Sequence, residues 1–286
     1  MATTGTSPGR RSAPAVWSTL LLASAMAWAW IVAYAAAMPA RMGAGMAPQP
    51  GVGAFLGVWM CMMAAMMLPA VAPVATIYVR TIGAGPPGLP DAGPAPAGSR
   101  PAGSRPAGVR PGGVRPAGAL PAGRAVGLVV GYLLVWAAYG IIAFAATRAF
   151  GVLSGPSGSA APWIDAAALA VAGVYQFTPA KNRCLSHCRS PLAVLLHVGN
   201  FRGPLRDVRA GFWHGGYCLG CCWSLMLVLV AVGMMNIVWM VLLAGVVFVE
   251  KTWRYGRQFS YAVGGLLLIL AIAVPLQPAL VGVAGM

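Results

Sequence analysis

Charged residues are scarce in this 286-residue chain, and acidic residues are the scarcest. Only 8% of the residues are charged, 59% are hydrophobic, and Asp and Glu together number four. So little charge cannot cover the surface of a soluble globular domain. No activated nucleophile and no acid/base pair stands out, so the sequence predicts a binding or transport protein and not an enzyme.

The chain also lacks several familiar cysteine and phosphate-binding patterns. Its six cysteines have no extracellular disulfide spacing, no zinc-ribbon double CxxC and no CxxCH haem motif. It has no phosphate loop of an ATPase. Any transport would therefore be passive, coupled to an ion or driven by delivery to a sink.

Long apolar runs take the place of the missing charge and predict an all-α, polytopic transmembrane helical bundle. A span needs roughly 20 apolar residues. The longest run, Tyr217 to Val249, exceeds one span, and "GMMN" at 233–236 could turn it into a hairpin. This division gives about seven spans, at 16–38, 51–79, 125–147, about 161–179, about 214–233, about 236–253 and 260–277.

The placement of the basic residues predicts the orientation. With a cytoplasmic N-terminus, every Lys and Arg except Arg41 and Arg148 falls in a cytoplasmic segment, as the positive-inside rule requires. The net charge of +15 is thus explained by topology in a lipid bilayer, and no nucleic-acid partner is expected. The predicted location is the bacterial cytoplasmic (inner) membrane, with multiple passes.

Five segments follow from this topology. They are a cytoplasmic tail at 1–15, the first two helices at 16–79, a loop at 80–124, a transmembrane domain with Cys/His motifs at 125–277 and a C-terminal tail at 278–286. The loop repeats "GSRPAGSRPAGVRPGGVRPAG" without apolar periodicity, so we expect it to be cytoplasmic and disordered.

Two clusters of thiols and imidazoles lie at the predicted cytoplasmic face. They occur in "KNRCLSHCRSP" and "HGGYCLGCCW", and their candidate ligands are Cys184, His187, Cys188, His214, Cys218, Cys221 and Cys222. Helical neighbours three and four residues apart share a face, so each cluster can converge. Cytosolic thiols stay reduced, and thiolates suit Cu(I) or Zn(II).

A methionine-rich stretch, "WMCMMAAMMLPAVAP", occupies the second predicted span. Met60, Met63 and Met67 share one helical stripe, and Cys61 lies among them. Methionine is a common core residue, but its thioether is also a soft ligand for Cu(I) and a poor one for zinc. Together with the thiols, these residues favour copper.

Near the sixth span we expect Glu250 and Lys251 to form an interfacial pair.

These motifs resemble a bacterial family of predicted metal-binding integral membrane proteins, a domain of unknown function sometimes labelled copper chaperone. The resemblance rests on "WMCMMAAMMLPA", "YQFTPAKNRCLSHCRSP" and "HGGYCLGCCWSLMLVLVAVGMMNIVWM" followed by "EK", and it covers roughly 50–80 and 125–275. It implies a polytopic membrane protein whose candidate metal ligands are the methionines of the second span together with Cys184, Cys188, His214, Cys218, Cys221 and Cys222.

The sequence thus predicts a membrane protein that binds Cu(I) at cytosolic-face cysteines and histidines. The methionine helix would act as a relay in copper transport or in delivery to a metal-donor or metal-acceptor protein. Two alternatives stay open. One is a membrane thiol–disulfide oxidoreductase that uses Cys221 and Cys222 with Cys218 or Cys184 for exchange. The other is a zinc-stapled scaffold of a membrane complex, with Zn(II) as its metal.

Overall fold

The computed structural model describes residues 8–37, 51–83, 121–154, 160–190, 201, 203–232 and 236–277. Every regular element within these residues is an α-helix, which confirms the predicted all-α class. The helices are α1 Pro8–Ala36, α2 Val52–Gly83, α3 Pro121–Ser154, α4 Ala161–Gln176, α5 Pro179–Cys188, α6 Arg206–Val232, α7 Ile237–Thr252 and α8 Gly256–Leu276.

Five of these helices are long and apolar enough to cross a membrane. The candidate spans are Pro14–Ala36, Val52–Arg80, Gly123–Leu153, Arg206–Val232 and Gly256–Leu276. Large apolar side chains such as Leu22, Ile142 and Ile269 are exposed on them, as expected where the surrounding solvent is lipid. The chain is therefore a helical membrane protein.

The two helices α4 and α7 are shorter than a full span. Each has 16 residues, or about 24 Å of helix at 1.5 Å per residue, whereas the hydrocarbon core is about 30 Å thick. The prediction of about seven spans counts both of them. Five spans are supported by length and composition, so the number seven and the orientation stay predictions.

The predicted break in the longest apolar run is confirmed. α6 ends at Val232 and α7 begins at Ile237. The side-chain oxygen of Asn236 accepts a hydrogen bond from the Trp239 backbone N–H at 3.2 Å. This N-cap supplies an acceptor that the apolar neighbours lack. α6 begins at Arg206, well before the predicted start at 214.

A second break, at Thr178, separates the helix that bears Cys184 and Cys188 from α4. The Thr178 hydroxyl oxygen accepts a hydrogen bond from the Lys181 backbone N–H, and Pro179 stands in the first turn, where it loses no helical hydrogen bond. The fourth predicted span therefore stops at Gln176. The two cysteines lie on the short separate helix α5 and not on a continuation of α4.

Some predicted segments lie outside the described residues. Residues 84–120, most of the Arg/Pro/Gly-rich loop, are among them, while the loop's edges at 80–83 and 121–124 are helical. The terminal stretches 1–7 and 278–286 also lie outside. The predicted segment boundaries are otherwise untested.

Proline shapes the contact between α1 and α2. Pro69 lies inside α2 and has no N–H, so the carbonyl of Ala65 one turn earlier loses its helical donor. The Ser24 hydroxyl of α1 donates a hydrogen bond to that carbonyl oxygen at 2.7 Å. Within lipid an unpaired carbonyl would be costly, so this contact both satisfies α2 and holds α1 against it.

Two pairs of glycines bring α3 and α6 into close contact. Gly127 and Gly131 on α3 pack against α6, and Gly211 and Gly215 on α6 pack against α3, each pair being four residues apart. A Cβ at Gly131 would overlap the Val208 carbonyl oxygen, and a Cβ at Gly211 would overlap the opposite backbone at Leu128. Such small-xxx-small pairs allow helix backbones to approach in membranes.

Replacing Gly211 by Ala should lower the apparent melting temperature of the protein in detergent. The added methyl group must push two backbones apart, an overpacking cost of about 1–3 kcal/mol. Gly216 on the same helix provides the control, since nothing lies within 4 Å of its Cβ position. Gly216→Ala should be neutral or stabilising, because Ala exceeds Gly in helix propensity by about 1 kcal/mol. Equal melting temperatures for the two variants would argue against the close crossing.

Candidate metal centre

The thiols predicted to bind metal meet where α5 packs on α6. The Cys188 and Cys221 sulfurs, 33 residues apart in sequence, lie 3.9 Å apart. All six cysteines of the chain are free. The structure thus brings together one cysteine from each of the two predicted clusters.

The α6 cysteines form a compact buried group. Cys218, Cys221 and Cys222 are each no more than 1% exposed. The Cys221 and Cys222 thiols donate to the Cys218 carbonyl oxygen at 3.0 and 2.9 Å. Their helical spacing therefore places the three cysteines within about one turn of α6.

Gly220 allows Cys184 to approach the same turn of α6. The Cys184 sulfur lies 2.7 Å from the position that a Cβ of residue 220 would occupy, so any side chain there would displace it. The Tyr175 hydroxyl donates to the Gly220 carbonyl oxygen at 2.5 Å and ties α4 to this turn. Cys184 is thereby held next to Cys221.

The α5 thiols are poor acids in this environment. Burial, followed by the charge of Cys221, raises the pKa of the Cys184 thiol. The contact with the Cys221 sulfur, followed by burial, holds the pKa of the Cys188 thiol well above its usual value. Both thiols are therefore weaker acids than an ordinary cysteine, and a metal ion that binds them must displace their protons.

The two histidines occupy different surroundings. His214 is 3% exposed, its Nδ1 has no hydrogen-bond partner among the described residues, and its ring stacks on Tyr132 at 6.0 Å between centroids. The His187 ring packs against Trp213 and Tyr217, at 4.5 and 4.0 Å between centroids, and those two rings also contact each other. The buried, unpartnered nitrogen one turn from Cys218 makes His214 a suitable additional ligand.

Two groups beside Cys218 were missed by sequence reasoning. The Lys251 ammonium donates to the Cys218 sulfur at 2.9 Å, and the Tyr132 hydroxyl lies 2.9 Å from the same sulfur. They come from α7 and α3, far from the cysteines in sequence. The only signal for Lys251 was a cation beside an apolar span.

The expected pair between Glu250 and Lys251 is wrong. Both Glu250 carboxylate oxygens accept hydrogen bonds from the Lys181 ammonium, at 3.0 and 2.9 Å, with side-chain exposures of 0% for Lys181 and 2% for Glu250. Neighbouring helix residues point in different directions, so Glu250 faces α5 while Lys251 faces Cys218. The salt bridge joins α5 to α7.

The methionine stripe lies on α2 and is largely buried inside the protein. Met63 and Met67 are fully buried, whereas Met60 and Cys61 are partly buried. The Cys61 sulfur contacts the Ala27 carbonyl oxygen of α1 at 3.8 Å. None of the contacts described for this stripe reaches the α5–α6 thiols, although α2 does pack against α7.

The donor chemistry of the thiol cluster suits a soft metal ion, but the cluster is not preassembled. Within the described ranges, no group of three or more His, Cys, Asp or Glu side chains is arranged to hold a metal ion. Sulfur donors and a buried imidazole are nevertheless the ligands that Cu(I) prefers. A metal ion would have to draw the thiols into its coordination sphere.

Comparison with known families identifies the chain. A family model, PpoB2, described as copper chaperone, matches residues 114–274, more than half of the protein. The chain belongs to this family, and the resemblance inferred from its motifs is confirmed. With its apolar helices, the chain is therefore a membrane protein related to copper. The methionine stripe of α2 precedes the matched segment. Searches of curated proteins and of solved structures gave no match.

Replacing Glu250 by Gln should destabilise the protein by about 3–5 kcal/mol, because Lys181 would keep a buried charge without a counter-charge. Thermal unfolding of the purified protein in detergent measures the effect. The double variant Lys181→Glu with Glu250→Lys restores opposite charges and should regain part of the loss. A Glu250→Gln variant as stable as the unaltered protein would contradict a structural role for the pair.

Proposed function

We propose that this protein binds Cu(I) at the α5–α6 thiol cluster and acts in copper transport or in delivery to a partner protein. The observation that carries the proposal is the 3.9 Å separation of the Cys188 and Cys221 sulfurs in a chain of the copper chaperone family. One metal ion can bridge that gap with metal–thiolate bonds of about 2.3 Å. The protein then works as a carrier, without a catalytic residue.

The surrounding donors complete the proposed site. Cys184, Cys218 and Cys222 lie within a turn of the bridging pair along their helices, and His214 presents a buried nitrogen. His187, which packs against Trp213 and Tyr217, would be an auxiliary ligand or would orient the other ligands. Soft sulfur ligands favour Cu(I), and Zn(II) is the competing ion.

The proposed topology has about seven spans and a cytoplasmic N-terminus in a bacterial inner membrane. It counts α4 and α7 as spans, and it assigns α5 and the start of α6 to the cytoplasmic side. The clustering of basic residues in the segments between spans supports this orientation. The thiols would then receive copper from, or give it to, a cytosolic partner.

The methionine stripe is proposed as a relay through the membrane. Met60, Cys61, Met63 and Met67 carry soft sulfur atoms along one helix. The full burial of Met63 and Met67 supports a path shielded from lipid. Weak thioether ligands release Cu(I) readily, so they suit passage and not storage.

A second candidate function is thiol–disulfide exchange. The approach of the Cys188 and Cys221 sulfurs favours it, since a modest movement would bring them to bonding distance. A redox protein would cycle this pair between dithiol and disulfide and would not need metal.

Replacing Cys188 or Cys221 by Ser should weaken Cu(I) binding at least about tenfold, because each change removes a sulfur ligand. The measurement is Cu(I) affinity of the anaerobically purified full-length protein, by competition with a chelator. Ser224→Ala provides the control, since it removes a buried hydroxyl from the same helix but no sulfur.

Three results would contradict copper binding at this cluster. Unchanged Cu(I) affinity in both cysteine variants would exclude the pair as ligands. A reversible Cys188–Cys221 disulfide without metal binding would support thiol exchange. Tight binding of Zn(II) without binding of Cu(I) would support the zinc-stapled scaffold.

Changing Met60, Met63 and Met67 together to Leu should reduce copper movement several-fold and leave the affinity of the thiol cluster unchanged. Leu is close to Met in volume, so little stability is lost. Copper accumulation in expressing cells measures movement. The paired control changes Met62 and Met66, which are buried on the same helix, to Leu. Equal accumulation in both variants and the unaltered protein would exclude the relay.

A further inference from the structure

The thiol cluster has a fixed cation beside it. The Lys251 ammonium of α7 donates to the Cys218 sulfur at 2.9 Å, and the Tyr132 hydroxyl meets the same sulfur from α3 at 2.9 Å. Cys218 in turn lies one helical turn from Cys221 and Cys222, whose thiols contact its carbonyl. A metal ion held by these sulfurs would therefore sit a few ångströms from a positive charge.

No nearby carboxylate cancels that charge within the described contacts. Glu250 is adjacent to Lys251 in sequence, but both of its oxygens bind Lys181. Asp207 has other partners: its carboxylate accepts a hydrogen bond from the Tyr78 hydroxyl and pairs with Arg206. The sulfur of Cys218 is the partner that the structure gives to Lys251, so its positive charge acts on the thiol cluster.

Lysine is rare in this chain, and both of its lysines lie at this junction. The chain has only two lysines, Lys181 and Lys251, and all of its other cationic side chains are arginines. Both lysines converge on the region where α5, α6 and α7 meet. An ammonium is a compact point charge on a thin stem, so it fits among packed helices beside a sulfur.

A cation here acts differently on monovalent and divalent metal ions. Electrostatic energy scales with the product of the charges, so for the same sulfur ligands the ammonium repels a divalent ion twice as strongly as a monovalent one. Two thiolates and a monovalent ion leave one negative charge, which the ammonium balances. Two thiolates and a divalent ion leave none, so the charge of the half-buried Lys251 side chain stays without compensation.

We propose that Lys251 is a specificity-determining residue, whose ammonium biases the cysteine cluster toward monovalent over divalent soft metal ions. The proposal rests on the proposed function, because it requires that the α5–α6 cysteines bind metal. It adds the reason why zinc, an abundant competitor with good affinity for thiolates, would be excluded from a copper carrier.

The test compares two thiophilic ions of different charge, Ag(I) and Cd(II). Their affinities are measured by competition titration with the full-length protein in detergent, under anaerobic conditions. The readout is the ratio of the two affinities. On shared ligands both ions displace the same thiol protons, so changes in thiol ionisation cancel in that ratio.

Lys251→Met should lower the Ag(I)/Cd(II) affinity ratio at least about tenfold, because only the charge-dependent repulsion is removed. Lys251→Arg keeps the charge and should leave the ratio within about twofold. Arg254→Met removes an exposed cation three residues away, where solvent screens it, and should also leave the ratio unchanged. Lys251→Gln, which retains a donor for Cys218, repeats the neutral substitution if the Met variant fails to fold.

The outcomes separate this inference from the function beneath it. A ratio unchanged in the neutral variants, with metal still bound through Cys188 and Cys221, would overturn the role of Lys251 and leave copper binding intact. Metal binding that survives in the Cys188→Ser and Cys221→Ser variants would overturn the cluster itself. A fall in the ratio confined to Lys251→Met and Lys251→Gln would support the selective cation.

Discussion

The buried ion pair between Lys181 and Glu250 sets the arrangement on which the thiol cluster depends. Removing two charges from water costs several kcal/mol for each ion, and only a well-formed pair repays that cost. Here both carboxylate oxygens lie within 3.0 Å of the ammonium. Because neither charge can separate without a large penalty, α5 is held to α7. The separate packing of α5 on α6 then places Cys184 and Cys188 beside the α6 cysteines.

The close crossing of α3 and α6 at their glycines positions the groups on the other side of the thiol cluster. With backbones in contact at Gly131 and Gly211, Tyr132 reaches across to stack on His214 and to meet the Cys218 sulfur. A larger residue at either glycine would move both aromatic and sulfur partners. The cluster is thus defined by α3 on one side and by α5 and α7 on the other.

Local chemistry allowed much of the fold to be predicted from the sequence. Long apolar runs specify helices, and Asn236 marks the hairpin because it offers a cap that no apolar neighbour can. Helical spacing places the cysteines of each cluster on neighbouring turns, whereas the 3.9 Å approach of Cys188 to Cys221 depends on the tertiary packing of α5 on α6. The separate helix α5 was not foreseen, although Thr178 and Pro179 form a recognisable start signal. The glycine pairs, a known pattern of helix contact in membranes, carried a signal that was overlooked.

The partners of the charged residues could not be predicted, because they depend on tertiary distance. Glu250 and Lys251 are adjacent, and adjacency suggested a pair, yet a helix turns them toward different neighbours. Lys181 lies 69 residues from Glu250, and a single sequence contains no sign of that contact. The sequence does show that such residues are rare, with four acidic residues and two lysines in 286 positions.

Because acidic residues are so rare, the junction of α5, α6 and α7 carries a net positive charge. Glu250 and both lysines meet where α5, α6 and α7 pack together, so the charges of these three side chains sum to one positive charge. Such a junction attracts a metal ion more strongly as protons leave the sulfurs. Each thiolate formed is then stabilised by Lys251, while the incoming ion is repelled in proportion to its own charge. The same lysine that makes the sulfurs better ligands therefore makes the site a poorer one for divalent ions, and a singly charged soft ion best satisfies both conditions.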